Sequence, residues 1–167
     1  TWPIYYHGTI GRAKEDLDRA ARAMSSVLAE VNGQANVIVM KGLLTQAASA
    51  IPGMSVYLSL LFKAMKAEGT HEGCLEQVDR LFRTQLFSSP QRRDDAGRIR
   101  MDDWELKPEI QAYVQSHWGQ ITQDNLDELT DFEGYRQAFL NLHGFNFASV
   151  DYAAEQDPDV LMALQEL

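Results

Sequence analysis

The stretch that decides the fold is "NGQANVIVMKG", residues 32–42. Val37 to Met40 make a short apolar run rich in β-branched residues and bounded by turn formers, which predicts a fully buried strand. Such a strand must satisfy its backbone N–H and C=O groups on neighbouring strands. No other segment of the chain reads as a convincing partner. The sequence therefore predicts an α/β domain, mostly helical here, with one recognisable core strand in this chain and the other strands elsewhere. Thr1 in place of an initiator methionine points the same way. The expectation is that residues 1–167 are the carboxy-terminal portion of a single larger domain.

Composition narrows the class. Hydrophobic residues make up 45% of the 167 and charged residues 23%, as in an ordinary globular domain with a real core. A net charge of −9 argues against nucleic acid, whose binding rests on Lys and Arg at phosphates. The lone cysteine, Cys74, cannot form an internal disulfide, so a reducing, cytoplasmic setting is expected. No signal peptide is visible. The most apolar stretch, Ile51 to Met65, contains Pro52 and Lys63 and is too short to span a bilayer.

Outward from the strand the pattern is helical. Upstream, Ala13, Leu17, Ala20, Met24, Val27, Leu28 and Val31 recur at helical spacing, with Gly33 as the stop. Downstream, a helix is predicted over Met54 to Ala67. Its polar residues Ser55, Ser59, Lys63 and Lys66 form one narrow stripe, and the rest is apolar, so most of it should be buried. Gly69 should end it. Thr70 should cap the next helix, with Leu75, Val78, Leu81 and Phe82 as the inner face. "SSPQRRDDAG", residues 88–97, is the one clear loop. Two or three further helices follow, one carrying Ile110, Tyr113, Val114 and His117, another Phe132, Tyr135, Arg136, Phe139 and Leu140. No internal repeat or low-complexity tract is present.

Chemistry enters with "YYHGTIGRAK", residues 5–14. A lysine near a tyrosine favours tyrosinate and lowers the phenol pKa, and it can also hold the ribose hydroxyls of a nicotinamide cofactor. Spacing alone is weak support, because Tyr57 and Lys66 show the same gap. On a continuous helix nine steps turn the chain by about 900°, which puts that second pair on opposite faces. Tyr5 and Lys14 differ because Gly8 and Gly11 interrupt the helical pattern, and Thr9 can start the helix that carries Lys14. From spacing alone, a surface tyrosine before an ordinary helix is the favoured reading.

A resemblance changes that weighting. "IYYHGTIGRAKEDL" is similar to the active-site segment of the FabV-type trans-2-enoyl reductases, which include the trans-2-enoyl-CoA reductases. "TQAASAIPGMSVYLSLLFKAMKAEGTHEGCLEQ", "GRIRMDDWEL", "NLDELTDFEGYRQAFLNLHGF" and "VDYAAEQDPDV" resemble that family's carboxy-terminal half, in the same order and over essentially the whole chain. The resemblance implies a Rossmann-like, short-chain-dehydrogenase-like fold. It implies NADH-dependent reduction of trans-2-enoyl thioesters, carried on acyl carrier protein or coenzyme A, in bacterial fatty-acid synthesis. Tyr5 matches the family's proton donor and Lys14 its cofactor-binding lysine. Leu43, Leu44 and Thr45, in "KGLLTQAAS", match the segment that touches the nicotinamide. The residues agree, since the carboxyl end of a parallel strand is where α/β sheets bind dinucleotides, and Thr45 offers a hydroxyl and backbone groups to a carboxamide. Helix capping is its alternative role, and both can hold together.

The departure is large. The family's glycine-rich fingerprint, its acidic cofactor-selecting residue and its second substrate tyrosine match nothing here, and Tyr6 is no substitute for that tyrosine. The implied partner is the missing amino-terminal half of the same enzyme, monomeric when complete, with this portion alone inactive. The competing class is a non-catalytic helical interaction fragment.

Other residues carry weaker signals. His71, Glu72 and Cys74 in "THEGC" suggest a thiol nucleophile or a metal site, but a helix start is favoured, and three or four ligands at metal spacing are missing. Asp94, Asp95, Asp102 and Asp103 read as solvated loop acids. Arg80, Arg83, Arg92, Arg93, Arg98 and Arg100 form a basic cluster that could dock an anionic carrier, with a mixed-charge surface as the default. The apolar helix Met54 to Ala67 is a candidate wall for an acyl chain.

Overall fold

The computed structural model describes residues 8–87 and 91–155. Helix α1 spans Thr9–Leu28, with Gly8 in extended backbone at its N-cap position. Gly11 lies inside this helix and is buried, so, against expectation, it does not interrupt the helical pattern; only Gly8 does. Thr9 is its first helical residue rather than its cap. A short 3₁₀ turn, Ala29–Val31, continues it, and Asn32, at φ 57°, takes the left-handed position that stops it. Gly33 then donates its N–H back to the Leu28 carbonyl at 2.9 Å, closing the turn.

The strand is there, and so is a partner that the sequence hid. β1, Ile38–Val39, pairs in parallel with β2, Ile99–Arg100, in the register Ile38 to Ile99 and Val39 to Arg100. The Ile99 and Met101 amides donate to the Val37 and Val39 carbonyls, both at 2.9 Å. This corrects the expectation of one strand. Arg98 and Arg100 alternate with Ile99 and Met101, so β2 has the period-2 pattern of a half-buried strand, not an apolar run. Val37 to Met40 are themselves half-buried rather than fully buried.

Helix α2 is one turn, Gln46–Ser49, and α3 runs over Met54–Ala67, as expected. Gly69, at φ 67°, ends α3, and Thr70 N–H reaches back to the Met65 carbonyl at 2.8 Å. Helix α5, Pro108–Trp118, packs on one side of α3, and α7, Phe132–Leu142, on another. Leu58, Leu61 and Met65 of α3 meet Ile110, Val114 and Tyr135 in the main core. The polar stripe of α3 is not simply solvated: Lys66 is exposed, but the stripe makes specific contacts. Ser59 is fully buried and its carbonyl accepts the Asp131 N–H at 3.0 Å. The Lys63 ammonium donates to the Glu128 carbonyl, and Lys66 pairs with Asp131 at 2.5 Å. Glu128 belongs to α6, Leu126–Leu129, and Asp131 caps α7 by accepting the Gly134 N–H.

Helix α4, Cys74–Leu81, begins three residues later than expected. Gly73 is its cap, not Thr70, and the Glu76 carboxylate accepts the Gly73 N–H at 3.0 Å. Of the expected inner face only Leu81 is buried; Leu75, Val78 and Phe82 are exposed. The helix instead turns Gln77 and Leu81 toward the strands. Leu81, Ile99 and Met101 form a second small core. On α1 the described residues leave the apolar stripe uncovered, with Leu17, Met24 and Val27 exposed. Its polar side makes the contacts: Ser25 Oγ bridges both backbone groups of Ala35, and Asp18 pairs with Arg98 at 3.4 Å.

Candidate functional site

Beyond Val39 and Arg100 a side chain takes over from backbone pairing. A continuing parallel ladder would bring the Lys41 N–H to the Met101 carbonyl. Instead, Lys41 N–H donates to Gln77 Oε1 at 2.8 Å, and Gln77 Nε2 donates to the Met101 carbonyl at 3.2 Å and to Glu72 at 2.9 Å. Gln77, 0% exposed, is therefore an inserted rung that holds the strand ends apart. Arg80 braces it, with two bonds to Glu72 at 2.6 and 3.0 Å, one to Asp103 at 2.9 Å and one to the Met101 carbonyl at 2.8 Å.

The opened carboxyl end borders a cleft of about 670 Å³, whose lining includes Lys41, Gly42, Tyr57, Arg100, Asp102 and Glu105. Gly42 is held from both sides. Its N–H donates to Glu105 Oε2 at 2.5 Å, and its carbonyl accepts the Lys41 ammonium at 2.9 Å. The other Glu105 oxygen accepts the Tyr57 hydroxyl. Burial, reinforced by the Glu105 charge, raises the Tyr57 phenol pKa, so it stays a donor. Burial lowers the Lys41 pKa, against the opposing pull of Glu105 and Glu72. A side chain at position 42 would place its Cβ 3.3 Å from the methyls of Leu58 and Leu61, so this turn approaches α3 closely and any larger residue would make those leucines shift by a few tenths of an ångström.

From this anchored glycine the chain runs through Leu43, Leu44 and Thr45. Their three backbone N–H groups make no hydrogen bond to a described residue. Thr45 does cap α2: its Oγ1 accepts the Ala48 N–H at 3.1 Å, which leaves the hydroxyl proton free to donate elsewhere. Cys74 Sγ sits 3.7 Å from the Leu44 carbonyl.

Lys14 is exposed on the second turn of α1, and no hydrogen bond or ion pair joins it to Leu43, Leu44 or Thr45. Tyr5 and Tyr6 lie outside the described residues. Tyr57 and Lys66 stand on one unbroken helix and go to different partners, Glu105 and Asp131. His71 is half-buried edge-on to Phe62, with ring centroids 4.2 Å apart. Burial first, then the Lys41 and Lys66 charges, lowers its pKa from 6.5 to about 4. Glu72 does not start a helix but holds Arg80 and Gln77. Among the described residues no group of three or more His, Cys, Asp or Glu could hold a metal, and no helix is long and apolar enough to cross a membrane.

The loop acids are not simply solvated. Asp102 is buried against Arg100 at 2.5 Å, Asp94 pairs with Arg98 at 2.9 Å, and Asp103 takes Arg80. Asp95 alone of the four is exposed. The arginine cluster is thus largely spent on internal carboxylates and carbonyls. Sequence reasoning missed Lys41, Gln77 and Glu105. The available signal was an ionisable residue directly after a buried strand, as Lys41 is.

Residues 1–87 match the family profile described as "Trans-2-enoyl-CoA reductase catalytic region", and residues 93–156 match one described as "Enoyl reductase FAD binding domain". An enoyl-[acyl-carrier-protein] reductase [NADH] of Teredinibacter turnerae is 57% identical over 166 residues, 99% of this chain and 42% of that protein. The enoyl-[acyl-carrier-protein] reductase [NADH] FabV of Aeromonas salmonicida is 54% identical over 167 residues, 100% of this chain and 42% of that protein. The solved structure of a trans-2-enoyl-CoA reductase from Clostridium acetobutulicum, in complex with NADH, superposes with a TM-score of 0.90 at 40% identity, covering 99% of this chain and 42% of that one. The chain spans about 42% of the length of these relatives.

Proposed function

This chain belongs to the trans-2-enoyl-CoA reductase family, and from that premise we propose that the complete protein reduces the trans-2 double bond of enoyl thioesters with NADH. Acyl carrier protein and coenzyme A are the two carriers that its relatives' names offer. The observation that carries the proposal is the run of amides from Leu43 to Thr45, unpaired among the described residues, at the carboxyl end of a parallel strand, where α/β sheets take dinucleotides.

The residues fit the nicotinamide end of NADH. The Thr45 hydroxyl proton and the neighbouring amides would donate to its carboxamide oxygen, and the half-buried Leu43 and Leu44 side chains would border the ring. Lys14, exposed on α1, would hold ribose hydroxyls. When bound, NADH supplies hydride to the β-carbon of the enoyl thioester. Tyr5 would donate a hydrogen bond to the thioester oxygen as negative charge develops there, and would serve the protonation step. In the complete enzyme Lys14 would also favour the tyrosinate form of Tyr5. A glycine-rich pyrophosphate turn belongs to the first strand–helix unit of a dinucleotide fold. Its absence here supports placing these residues in the carboxy-terminal part of one Rossmann-like domain. On this reading the amino-terminal half is the obligate partner, and the whole is a monomeric cytoplasmic enzyme.

The residues present do not fit FAD. A dinucleotide pyrophosphate is held by backbone N–H groups of a glycine-rich turn at a helix N-terminus. Here α5 and α7 begin with carboxylates, Glu109 in one and Asp131 and Glu133 in the other, and the cations among residues 93–155 already have partners. Arg98 and Arg100 pair with Asp94 and Asp102, Arg136 with Glu133, and Lys107 with Glu68. Arg93 is spent on Asn36, Gln91 and the Gly97 carbonyl. The exposed stripe of α1 is the observation that favours the second reading, a helical interaction fragment.

Turnover of the full-length protein decides between them. Tyr5→Phe should lower turnover about 10²–10³-fold with NADH affinity nearly unchanged, whereas Lys14→Met should weaken both. Near-normal turnover of Tyr5→Phe when chemistry limits the rate would remove Tyr5 from the mechanism.

A further inference from the structure

We infer that Glu105 is a positioning residue for the cofactor loop, acting with Lys41 to fix the two peptide planes flanking Gly42, from which Leu43, Leu44 and Thr45 project. The inference rests on the proposed contact between that loop and the nicotinamide. Glu105 is 7% exposed, and each of its carboxylate oxygens has one donor, the Gly42 N–H at 2.5 Å and the Tyr57 hydroxyl. Its main-chain carbonyl accepts Gln111 Nε2 at 2.8 Å, so the residue is itself held by α5. The bridge thus ties three separate elements, α3 through Tyr57, α5 through Gln111, and the strand end through Gly42. Lys41 fixes the next peptide plane, donating to the Gly42 carbonyl at 2.9 Å. The Gly42 N–H lies in the Lys41–Gly42 peptide plane and the Gly42 C=O in the Gly42–Leu43 plane. Holding both fixes the two planes about the Gly42 Cα, and with them where the next amides point.

Charge alone would not do this. The bridge needs two acceptor positions at glutamate's reach. Aspartate keeps the charge but is one methylene short. Glutamine loses the charge but keeps the reach: its oxygen can accept from Gly42 while its amide donates to the Tyr57 oxygen, reversing one bond.

The test uses the full-length enzyme, with NADH dissociation constants from fluorescence titration, KM and kcat, and melting temperature for Glu105→Gln, Glu105→Asp and Glu105→Leu. Val114→Ala, a core cavity away from the loop, serves as the stability control. Glu105→Asp and Glu105→Leu should weaken NADH binding about tenfold, since each mispositioned hydrogen bond costs a few-fold to about tenfold in affinity. Glu105→Gln should stay within about threefold of the parent. Val114→Ala should lose melting temperature without losing affinity. If Glu105→Leu does not fold, the comparison of Asp with Gln decides alone. Unchanged NADH affinity in Glu105→Asp, or glutamine performing worse than aspartate, overturns the inference. Thr45→Val separates it from its premise. Loss of affinity in Thr45→Val but not in Glu105→Asp sinks the positioning role only. The reverse result sinks the Thr45 contact and keeps the positioning role.

Discussion

Replacing Gln77 by leucine removes the rung between the strand ends while keeping about the same volume. Three hydrogen bonds go: one accepted from Lys41 N–H, and two donated, to the Met101 carbonyl and to Glu72. They are not equal losses. Met101 and Glu72 both keep Arg80 as a donor, at 2.8 Å and at 2.6 and 3.0 Å. The Lys41 N–H keeps nothing. A stranded buried donor costs about 1–3 kcal/mol, and each bond whose acceptor is still served costs about 0.5–1. Leucine returns under about 1 kcal/mol through its apolar surface. The expected net loss is about 2–3 kcal/mol, a fall of about 1–2 M in the urea midpoint if m is unchanged. Gln77→Glu sharpens the test. It keeps an acceptor for Lys41 but sets a carboxylate against Glu72 and the Met101 carbonyl, so its stability should recover as pH falls and the acid becomes a donor. A leucine variant within about 0.5 kcal/mol of the parent in equilibrium urea unfolding would refute the inserted-rung account.

Thr45→Val should cost about 1 kcal/mol through the lost α2 cap as well as weaken NADH a few-fold, and Thr45→Ser should restore both; paired melting curves and titrations check this. His71 has its pKa lowered from 6.5 to about 4 in the fold, so the unfolded chain binds the extra proton first. Its contribution to stability is therefore full above about pH 6.5 and is lost as pH falls toward 4. His71→Phe, which keeps a ring against Phe62, should flatten the stability profile across that window, and an unchanged profile would count against the burial of the neutral ring.

How much of this was legible depends on whether a residue's role is written in local pattern. Helix α3 was read to its end residues because an apolar run closed by glycine states its own limits. β1 was visible through its β-branched run. β2 was not, because two arginines within four residues look like loop, and only the Arg98–Asp94 and Arg100–Asp102 pairs make their half-buried placement affordable. The inner face of α4 failed for a related reason. Hydrophobic spacing nominated Leu75 and Val78, whereas the buried position is Gln77, set by the unmet backbone groups of strands distant in sequence. At the candidate site the segment after β1 was nominated by the family resemblance, and its position at a strand end agrees with that nomination. Glu105, 63 residues from the glycine it holds, has no local signature at all.

An apolar cylinder among apolar neighbours has no preferred rotation about its own axis, since one leucine contact is much like another. Helix α3 is keyed against such rolling. Its stripe locks Ser59, Lys63 and Lys66 onto the approach to α7, and each lock has direction as well as distance. Rolling by one residue would carry the lysines into the core and leave their acceptors empty. The same setting fixes the azimuth of Tyr57, near the other end of the helix, and with it the aim of the hydroxyl that meets Glu105. Polar contacts on the far side of the core thus act as an indexing pin for the turn at Gly42, with the helix as the rigid shaft between them.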